Sequence, residues 1–150
     1  MKNLLVTGGC GFIGVNFIRF LLDETDFQGR VINLDKMTYA GNPLSLSDRE
    51  EAWGGRYALV KADICDREQA GGVMDRYEVD AICHFAAESH VDRSIARPDE
   101  FIRTNIVGTH ALLELARERS GRIEIFHHIS TDEVFGSLGS SGFFTEDTPY

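Results

Sequence analysis

The sequence has little cysteine, few basic residues and no long apolar run, and each shortage excludes a class of protein. Its three cysteines, Cys10, Cys65 and Cys83, are an odd number without close spacing, which argues against a disulfide framework or a zinc site. We therefore predict no metal. No apolar run reaches about 18 residues and no signal peptide is recognisable, so we predict a cytoplasmic protein without membrane contact.

Basic residues are outnumbered, with 15 Lys and Arg against 24 Asp and Glu and a formal net charge of -9. Non-specific nucleic-acid binding needs a basic footprint, so no nucleic-acid partner is predicted. The charge gives no clue to a small-molecule substrate, because acidic enzymes bind anions through local backbone and arginine sites. The 150 residues contain no repeat or low-complexity segment and are enough for one domain with a core.

Strand-like and helix-like segments alternate along the chain. Apolar runs predict strands near 3–7, 30–35, 57–61, 80–85 and 123–129, the last of them buried. Helical periodicity predicts helices near 12–24, 66–77 and 98–119, with a weaker candidate near 43–52. The pattern favours an α/β fold, a Rossmann-type, doubly wound, mostly parallel sheet with helices on both faces. The Gly- and Ser-rich tail 136–150 is predicted as loop.

A glycine-rich turn joins the first predicted strand to the first helix. It holds Gly8, Gly11 and Gly14. The apolar residues that follow recur at helical spacing: Phe12, Ile13, Phe17, Phe20 and Leu21. Glycine allows a tight turn and lets a pyrophosphate approach without Cβ atoms in the way, while the helix start offers N–H groups and its positive dipole end. This order of elements predicts a dinucleotide site.

An acidic residue ends the second predicted strand. Asp35 stands 21 residues after Gly14, where a carboxylate can accept hydrogen bonds from an adenosine ribose and would repel a 2′-phosphate. This favours NAD over NADP. The neighbouring Lys36 weakens the preference, because a cation tolerates the extra phosphate.

A hydroxyl, an acid and a base stand side by side after the fifth predicted strand, as Thr131, Asp132 and Glu133. Functional residues of open α/β sheets lie just past the carboxyl ends of strands. Two adjacent carboxylates in different environments can divide the roles of general acid and general base. An isolated Asp-Glu pair is more often a solvated turn, and the glycine fingerprint at the other end of the chain favours the catalytic interpretation.

Several motifs together resemble a known family. The glycine spacing G-x-x-G-x-x-G resembles the extended branch of the short-chain dehydrogenase/reductase superfamily. Within that branch, four segments are similar to the dTDP-glucose 4,6-dehydratases: Asp35–Asn42, Ala62–Asp66, His84–Ile95 and Thr104–Thr109. Ser130–Val134 resembles the active-site motif of that family. The resemblance covers essentially the whole chain.

The resemblance implies NAD as the cofactor and a nucleotide-diphosphate sugar as the substrate. The implied cofactor contacts are Gly8, Gly11, Phe12, Ile13, Gly14, Asp35, Lys36, Met37, Thr38, Asp63, Ile64, Ala86, Ala87, Ser89 and Thr104. His90 and Thr131 would contact the sugar nucleotide, although a histidine in a loop can also cap local backbone. Asn105, in the middle of the long helix, is expected to face inward and bond backbone that supports the site. Cys10 is expected to be a small filler, and at least one of His127 and His128 to point into packing.

The reaction implied is a redox-neutral dehydration of dTDP-glucose. Oxidation at C4 acidifies the C5 proton, water is lost across C5 and C6, and hydride returned to C6 leaves a 4-keto-6-deoxy sugar. Glu133 would remove the C5 proton, Asp132 would protonate the departing C6 hydroxyl, and Thr131 would hydrogen-bond the C4 oxygen. As a general acid and a general base, each carboxylate would contribute roughly 10²–10⁴ in rate.

The functional Tyr-x-x-x-Lys pair of the superfamily is missing. Tyr57 does have a lysine four positions later, Lys61, but both lie in the predicted strand 57–61, where residues four apart are about 13 Å from each other, too far for the lysine to act on the tyrosine. We therefore expect residues 1–150 to be an incomplete NAD-binding Rossmann domain, inactive alone. The Tyr-Lys segment and the substrate domain would lie beyond it, and the complete protein would be a homodimer. Two alternatives stay open. A nucleotide-sugar 4-epimerase would need no acid and base for water loss, whereas a non-catalytic dinucleotide-sensing module would account for the missing pair.

Overall fold

One parallel sheet organises the chain. The computed structural model describes residues 1–150. The strands are β1 (Asn3–Thr7), β2 (Arg30–Asp35), β3 (Tyr57–Lys61), β4 (Ala81–His84) and β5 (Ile125–His128). They lie in the order β3-β2-β1-β4-β5, and every neighbouring pair is parallel. The first three strands begin and end where the apolar runs predict, and the last two are shorter by one or two residues at each end.

Helices connect the strands. The α-helices are α1 (Phe12–Asp23), α2 (Glu50–Trp53), α3 (Arg67–Arg76), α4 (Val91–Ala96), α5 (Pro98–Phe101) and α6 (Thr109–Glu118). Short 3₁₀ helices cover Pro43–Leu46, Gly54–Arg56 and Asp132–Phe135. Helix α4 and the 3₁₀ helices Gly54–Arg56 and Asp132–Phe135 were not predicted, because segments this short carry too few residues to show a period. The tail after Gly136 is loop and turn, as predicted. No helix is both long and apolar enough to cross a bilayer.

Alternate residues of β1 point to two cores, one on each face of the sheet. Leu5 packs with residues of α3 and α6, including the buried Leu112. Leu4 and Val6 pack on the other face with the buried Ile18 of α1. Each fully buried Leu or Ile side chain contributes about 1.5–3 kcal/mol relative to an exposed one. Helices therefore cover both faces, and the predicted doubly wound, Rossmann-type fold is confirmed.

The predicted helix at 98–119 contains a π-helical segment. Backbone angles stay helical from α5 through the π segment Ile102–Gly108 into α6. A Cβ on Gly108 would lie 2.6 Å from Ile64 Cδ1, so the absence of a side chain lets this helix approach the loop after β3. Segments of π-helix occur frequently at functional sites. Periodicity did not predict this one, because a change of pitch over seven residues hardly alters the spacing of apolar residues.

Helix α3 forms despite the Gly71-Gly72 pair, which weakens its helical propensity. The side chain of Asp66 caps the helix start by accepting the Gln69 N–H at 3.0 Å. At the other end, Asp75 receives hydrogen bonds from the guanidinium groups of Arg119 and Arg122. These two arginines hold the pKa of Asp75 well below its usual range. The cap thus stabilises the start of α3, and the ion pairs tie its end to the residues that follow α6.

The prediction of a buried fifth strand was wrong. Three of the four residues of β5 are exposed, and Ile125 keeps 53% of its surface. The strand lies at the edge of the sheet and pairs only with β4, so it has one neighbour. His127 and His128 are both exposed, which contradicts the expectation that one is packed inside. His128 does, however, lie with its ring centroid 5.2 Å from that of His84.

The apolar face of α1 also differs from the predicted one. The buried residues are Gly14, Val15, Ile18 and Leu22, whereas Phe17 and Leu21 are half-buried. Three predicted members of the stripe are exposed: Phe12, Ile13 and Phe20. The two at the helix start therefore stand free beside the glycine turn.

Candidate functional site

The glycine turn lies directly against the loop that follows β4. Gly8 has a φ of 69° and donates its N–H to the Leu34 carbonyl at 3.0 Å. A Cβ on Gly8 would lie 2.7 Å from both the Cα and the N of Ala86. Both the backbone angle and the contact therefore require glycine. Two of the predicted cofactor segments, around Gly8 and around Ala86, are brought together at this point.

The start of α1 is open to solvent. Gly11 is the N-cap residue and offers no side-chain hydrogen bond, so the first N–H groups of the helix have no protein acceptor. Phe12 is 86% exposed and Ile13 62%, and neither side chain covers the helix start. A Cβ on Gly14 would lie 2.7 Å from Gly9 Cα, so glycine is needed for the turn to reach the helix. The arrangement can bind an anion through backbone N–H groups and the helix dipole.

Asp35 connects the end of β2 to the glycine turn. Its Oδ2 accepts the Cys10 N–H at 2.9 Å, and its Oδ1 accepts the Met37 N–H at 2.6 Å. The residue is 8% exposed, and Met37 adopts a φ of 57° to close the bend around it. A carboxylate oxygen has two lone pairs, so each can accept one further hydrogen bond. Asp35 thus holds the loop and still presents acceptors at the predicted ribose position.

Cys10 is the small buried filler that the sequence predicts. It is 2% exposed, and the Asn33 amide donates to its sulfur at 3.6 Å. Burial, together with the nearby carboxylate of Asp35, raises the pKa of Cys10 to about 11. The thiol is therefore protonated at neutral pH and is a poor nucleophile.

Lys36 and Asp63 join the loops after β2 and β3. Their Nζ and Oδ2 atoms lie 2.8 Å apart. Burial tends to raise the pKa of Asp63, but the Lys36 ammonium and the Cys65 N–H outweigh burial and hold it below its usual range. The charge of Lys36 is therefore paired within the protein. The next residue, Ile64, is buried in the core and supports this loop from below.

A cleft of about 290 Å³ opens between the loops after β2 and β4. Its lining consists of Lys36, Thr38, Tyr39, Glu88, Arg93, Glu100, Arg103 and Thr104. Three predicted cofactor residues, Lys36, Thr38 and Thr104, thus share one cleft. Sequence reasoning missed the other five, because they are polar residues scattered over separate loops and helices and have no distinguishing pattern until the fold brings them together.

Two of the missed residues stack across the cleft. The Arg93 guanidinium carbon lies 3.7 Å from the centroid of the Tyr39 ring, and the Tyr39 hydroxyl donates to Glu88 Oε2 at 3.2 Å. Arg93 also lies 3.8 Å from a carboxylate oxygen of Glu100. Burial, and then the nearby Glu88 carboxylate, raise the pKa of Tyr39. We call the pair Tyr39 and Arg93 the cleft stack, since it joins the loop after β2 to helix α4, which no backbone pairing connects.

A buried histidine links three elements at the base of the site. His84 Nδ1 lies 2.6 Å from Thr7 Oγ1, and His84 Nε2 lies 2.9 Å from Thr109 Oγ1. Thr7 Oγ1 also accepts the Ala86 N–H at 3.2 Å. Burial, followed by the nearby His128, lowers the pKa of His84 to about 4, so the ring is neutral at pH 7. Sequence reasoning missed this role, because His84 ends an apolar strand and resembles an ordinary core residue.

The remaining predicted residues of the loop after β4 are exposed. Ala87, Ser89 and His90 lie on the same loop as Ala86, at the carboxyl end of β4. His90 is the N-cap residue of α4, yet its side chain makes no capping hydrogen bond. Its ring is free, which removes local capping as the reason for a histidine at this position.

The residues Thr131, Asp132 and Glu133 form a compact exposed turn. Thr131 Oγ1 accepts the Glu133 N–H at 3.2 Å and donates to Asp132 Oδ1 at 3.3 Å. No cationic side chain lies within 4 Å of either carboxylate. Their contacts stay within the turn, and they do not reach the cleft.

Strand register nevertheless sets this turn beside the loop after β4. His84 pairs with His128, and the Ile129 N–H donates to the His84 carbonyl at 3.1 Å. The chain therefore leaves both strands at the same level, and neighbouring strands lie about 4.8 Å apart. Every predicted site segment thus lies at the carboxyl edge of the sheet, where open α/β folds bind ligands.

Known proteins share both the sequence and the fold. A dTDP-glucose 4,6-dehydratase of Neisseria gonorrhoeae is 53% identical over an alignment 157 residues long. The alignment covers 99% of this chain and 44% of that protein. A dTDP-glucose 4,6-dehydratase of Streptomyces venezuelae, solved with NAD bound, is 44% identical with a TM-score of 0.87, covering 99% of this chain and 45% of that one. This chain thus spans less than half the length of these relatives. The resemblance to dTDP-glucose 4,6-dehydratases is confirmed.

Epimerases share the fold at lower identity. A UDP-glucose 4-epimerase of Bifidobacterium longum, solved in complex with NAD+ and UDP, is 28% identical with a TM-score of 0.82, covering 99% of this chain and 42% of that one. The sequence model of GDP-mannose 4,6 dehydratase matches residues 5–150. Because that match covers nearly the whole sequence, the chain belongs to the GDP-mannose 4,6 dehydratase family.

Proposed function

We propose that the chain is the NAD-binding part of a longer nucleotide-sugar 4,6-dehydratase, a hydro-lyase that converts dTDP-glucose to its 4-keto-6-deoxy form. The observation that carries the proposal is the Asp132-Glu133 pair, which begins four residues after β5 at the edge of the sheet that holds Asp35 and the glycine turn. A reaction that removes a proton and expels water needs both an acid and a base at one site. The names of the relatives support the same reaction.

The residues at the carboxyl edge fit NAD. The glycine turn leaves space that any Cβ would fill, and the open start of α1 can take a diphosphate. Asp35 can accept ribose hydroxyls, and a 2′-phosphate would be repelled there. Lys36, the cation that could offset this repulsion, is paired with Asp63 at 2.8 Å. The structure thus supports NAD rather than NADP, and NAD when bound supplies the hydride acceptor and donor for carbon.

The chain's own residues would carry the elimination. Glu133 would take the proton from C5 of the sugar, and Asp132 would give a proton to the departing C6 hydroxyl. Thr131 would bond the C4 oxygen, and its present bond to the Glu133 N–H already fixes the turn. His90 and Ser89, exposed on the neighbouring loop, would face the sugar nucleotide and the cofactor. Exposure of both carboxylates allows substrate to displace water from them directly.

Two alternatives are weaker. A 4-epimerase has the same fold, but it has no use for an acid and a base that remove water. A dinucleotide-sensing module would account for the missing Tyr-Lys pair, yet it would leave the Thr-Asp-Glu turn without a purpose. A homodimeric state and a cytoplasmic location of the complete protein stay predictions.

The test is turnover of dTDP-glucose with NAD, followed by the appearance of the 4-keto-6-deoxy product. The chain is assayed beside a version extended through its natural downstream sequence. We expect product from the extended version alone, since the Tyr-Lys pair would lie there. Absence of product from both versions, with NAD still bound, would overturn the dehydratase in favour of the sensing module. Epimerised sugar without water loss would favour the epimerase.

A further inference from the structure

Most basic side chains of this acidic protein are paired with carboxylates. Of the 15 Lys and Arg residues, nine lie within 4 Å of an Asp or Glu oxygen. The six without such a partner are Lys2, Arg30, Arg56, Lys61, Arg76 and Arg103. Four of those six, all but Lys61 and Arg103, line a single groove. Cations brought together without carboxylates repel one another, and a bound anion would relieve that repulsion.

The groove lies at the amino-terminal edge of the sheet, opposite the glycine turn. Lys2 precedes β1, Arg30 begins β2, Arg56 precedes β3 and Arg76 ends α3. Its volume is about 610 Å³, within the range of small-molecule sites. The parallel strands cause the gathering, because their amino ends meet at one edge. Residues from four distant parts of the sequence thus face the same space.

Two of the four cationic side chains are hydrogen-bonded to backbone carbonyls, and the other two make no hydrogen bond. Arg30 Nε donates to the Gly55 carbonyl at 2.8 Å, and Arg56 donates to the carbonyls of Phe27 and Gly29. Lys2 Nζ and the Arg76 guanidinium make no hydrogen bond, although the Arg76 guanidinium carbon lies 5.3 Å from the Tyr77 ring centroid. The two hydrogen-bonded side chains therefore have fixed positions in the groove, and the other two can change rotamer to contact a ligand.

The negative charges at the groove are smaller than the positive charge of its four Lys and Arg side chains. One carboxylate, Glu78, lines it, which leaves a net charge of +3 from the lining side chains. The carboxyl end of α3 adds a partial negative charge of about half a unit, screened by solvent. The four cations outweigh both. A guanidinium matches phosphate in a bidentate fork, which a compact ammonium does not.

We propose that this groove binds a small molecule carrying a chain of two or three phosphates. A di- or triphosphate carries about three to four negative charges near pH 7, which balances the positive charge of the side chains that line the groove. The half-buried Tyr77 ring, beside Arg76, offers a surface on which a nucleobase could stack. Inorganic polyphosphate and a nucleoside triphosphate share the recognised chemistry.

The test measures binding of inorganic tripolyphosphate to the chain by calorimetry at about 50 mM salt, where screening is modest. The variants are Lys2→Gln and Arg76→Gln, whose side-chain nitrogens bond nothing that holds the fold. Lys61→Gln is the matched control, since Lys61 is an exposed, unpaired cation at the opposite end of β3. We expect each groove variant to weaken binding about tenfold and the control to leave it within about twofold.

Three results would overturn the proposal: no saturable binding, equal weakening by Lys61→Gln, or displacement of tripolyphosphate by NAD, which would assign the ion to the glycine turn. A nucleoside triphosphate is titrated in parallel. Tighter binding of the nucleotide supports the proposal with a base on Tyr77, and equal affinity supports it with recognition of the phosphate chain alone.

Discussion

Asn105 and Glu88 exchange two hydrogen bonds. The Glu88 N–H donates to Asn105 Oδ1 at 2.8 Å, and Asn105 Nδ2 donates to the Glu88 carbonyl at 2.8 Å. The Asn105 side chain thus pairs with both backbone hydrogen-bonding groups of Glu88, in the loop after β4, as a neighbouring strand would. The expectation that Asn105 bonds backbone supporting the site is confirmed, although the residue is exposed rather than facing inward.

Asn105→Ala should free this loop without unfolding the protein. Both bonds are lost, at a cost of about 1–2 kcal/mol, because each neutral hydrogen bond contributes about 1 kcal/mol net. We expect the Glu88 amide proton to exchange with solvent much faster in Asn105→Ala than in the unaltered chain, while core amides stay protected. Hydrogen exchange by NMR measures this. An unchanged Glu88 exchange rate would contradict the assigned bonds.

Gly8→Ala should destabilise the chain strongly. The alanine would need a φ of 69°, and its Cβ would lie 2.7 Å from Ala86 backbone atoms. The left-handed angle alone costs about 1–2 kcal/mol, and the clash adds to it. The matched control is Gly72→Ala on α3, where no atom lies within 4 Å of the new Cβ. It should stabilise by about 0.5–1 kcal/mol through helix propensity. Urea unfolding compares the two, and a similar loss in both would refute the argument.

The neutral His84 should make stability depend on pH. Its pKa is about 4 in the folded chain, against an ordinary value of 6.5, because burial and His128 disfavour the charged ring. The unfolded state therefore takes up a proton first as pH falls, and unfolding is favoured. Stability is full above about pH 6.5 and decreases by about 3 kcal/mol as pH falls to 4.

The measurement is the unfolding free energy of the chain and of His84→Asn between pH 4 and 7. Both proteins share the titration of the carboxylates, so their difference isolates the histidine. The variant should be less stable at pH 7, because contacts to Thr7 and Thr109 are lost, but its stability should decrease less steeply toward pH 4. Parallel curves for the two proteins would show that His84 is not responsible.

The fold was predictable from the sequence because parallel strands and amphipathic helices carry their periods locally. Strands β1, β2 and β3 were located to the residue, since the alternation of Leu4, Leu5 and Val6 between two cores makes a continuous apolar run. Burial of β5 was not predictable, because it depends on neighbours. The same apolar run in a strand with only β4 beside it leaves Ile125 half exposed.

The contacts within the site were much less predictable than its location. A carboxylate after a strand indicates the edge of the sheet, so Asp35 and Asp132 could be recognised from position alone. The bond from His84 to Thr7 spans 77 residues, and the Tyr39 hydroxyl reaches Glu88 across 49. No local pattern encodes such pairs. Only the topology, with β4 inserted beside β1, brings them together.

Removal of the cleft stack should accelerate release of NAD from the extended protein. Arg93→Met deletes the guanidinium that covers the Tyr39 ring at 3.7 Å and releases the loop after β2 from α4. A stacked cation–π pair contributes about 0.5–2 kcal/mol, so we expect release to be about 2- to 30-fold faster. Stopped-flow displacement measures the rate. The control is Arg97→Met, which also loses an ion pair with Glu100 but lies outside the stack. Equal rates for the two variants would exclude a role for the stack.

Substitution of the two carboxylates should separate the steps of the proposed reaction. In the extended protein, Asp132→Asn removes the acid and Glu133→Gln removes the base, while each preserves side-chain size. Each should slow water loss by roughly 10²–10⁴, because an acid or base of this kind contributes that much. Oxidation at C4 should survive in both, since neither group is needed to remove hydride. Single-turnover absorbance at 340 nm would then show reduced cofactor that persists, with little product. If both steps were lost together, the carboxylates would be supporting the fold or substrate binding rather than the elimination.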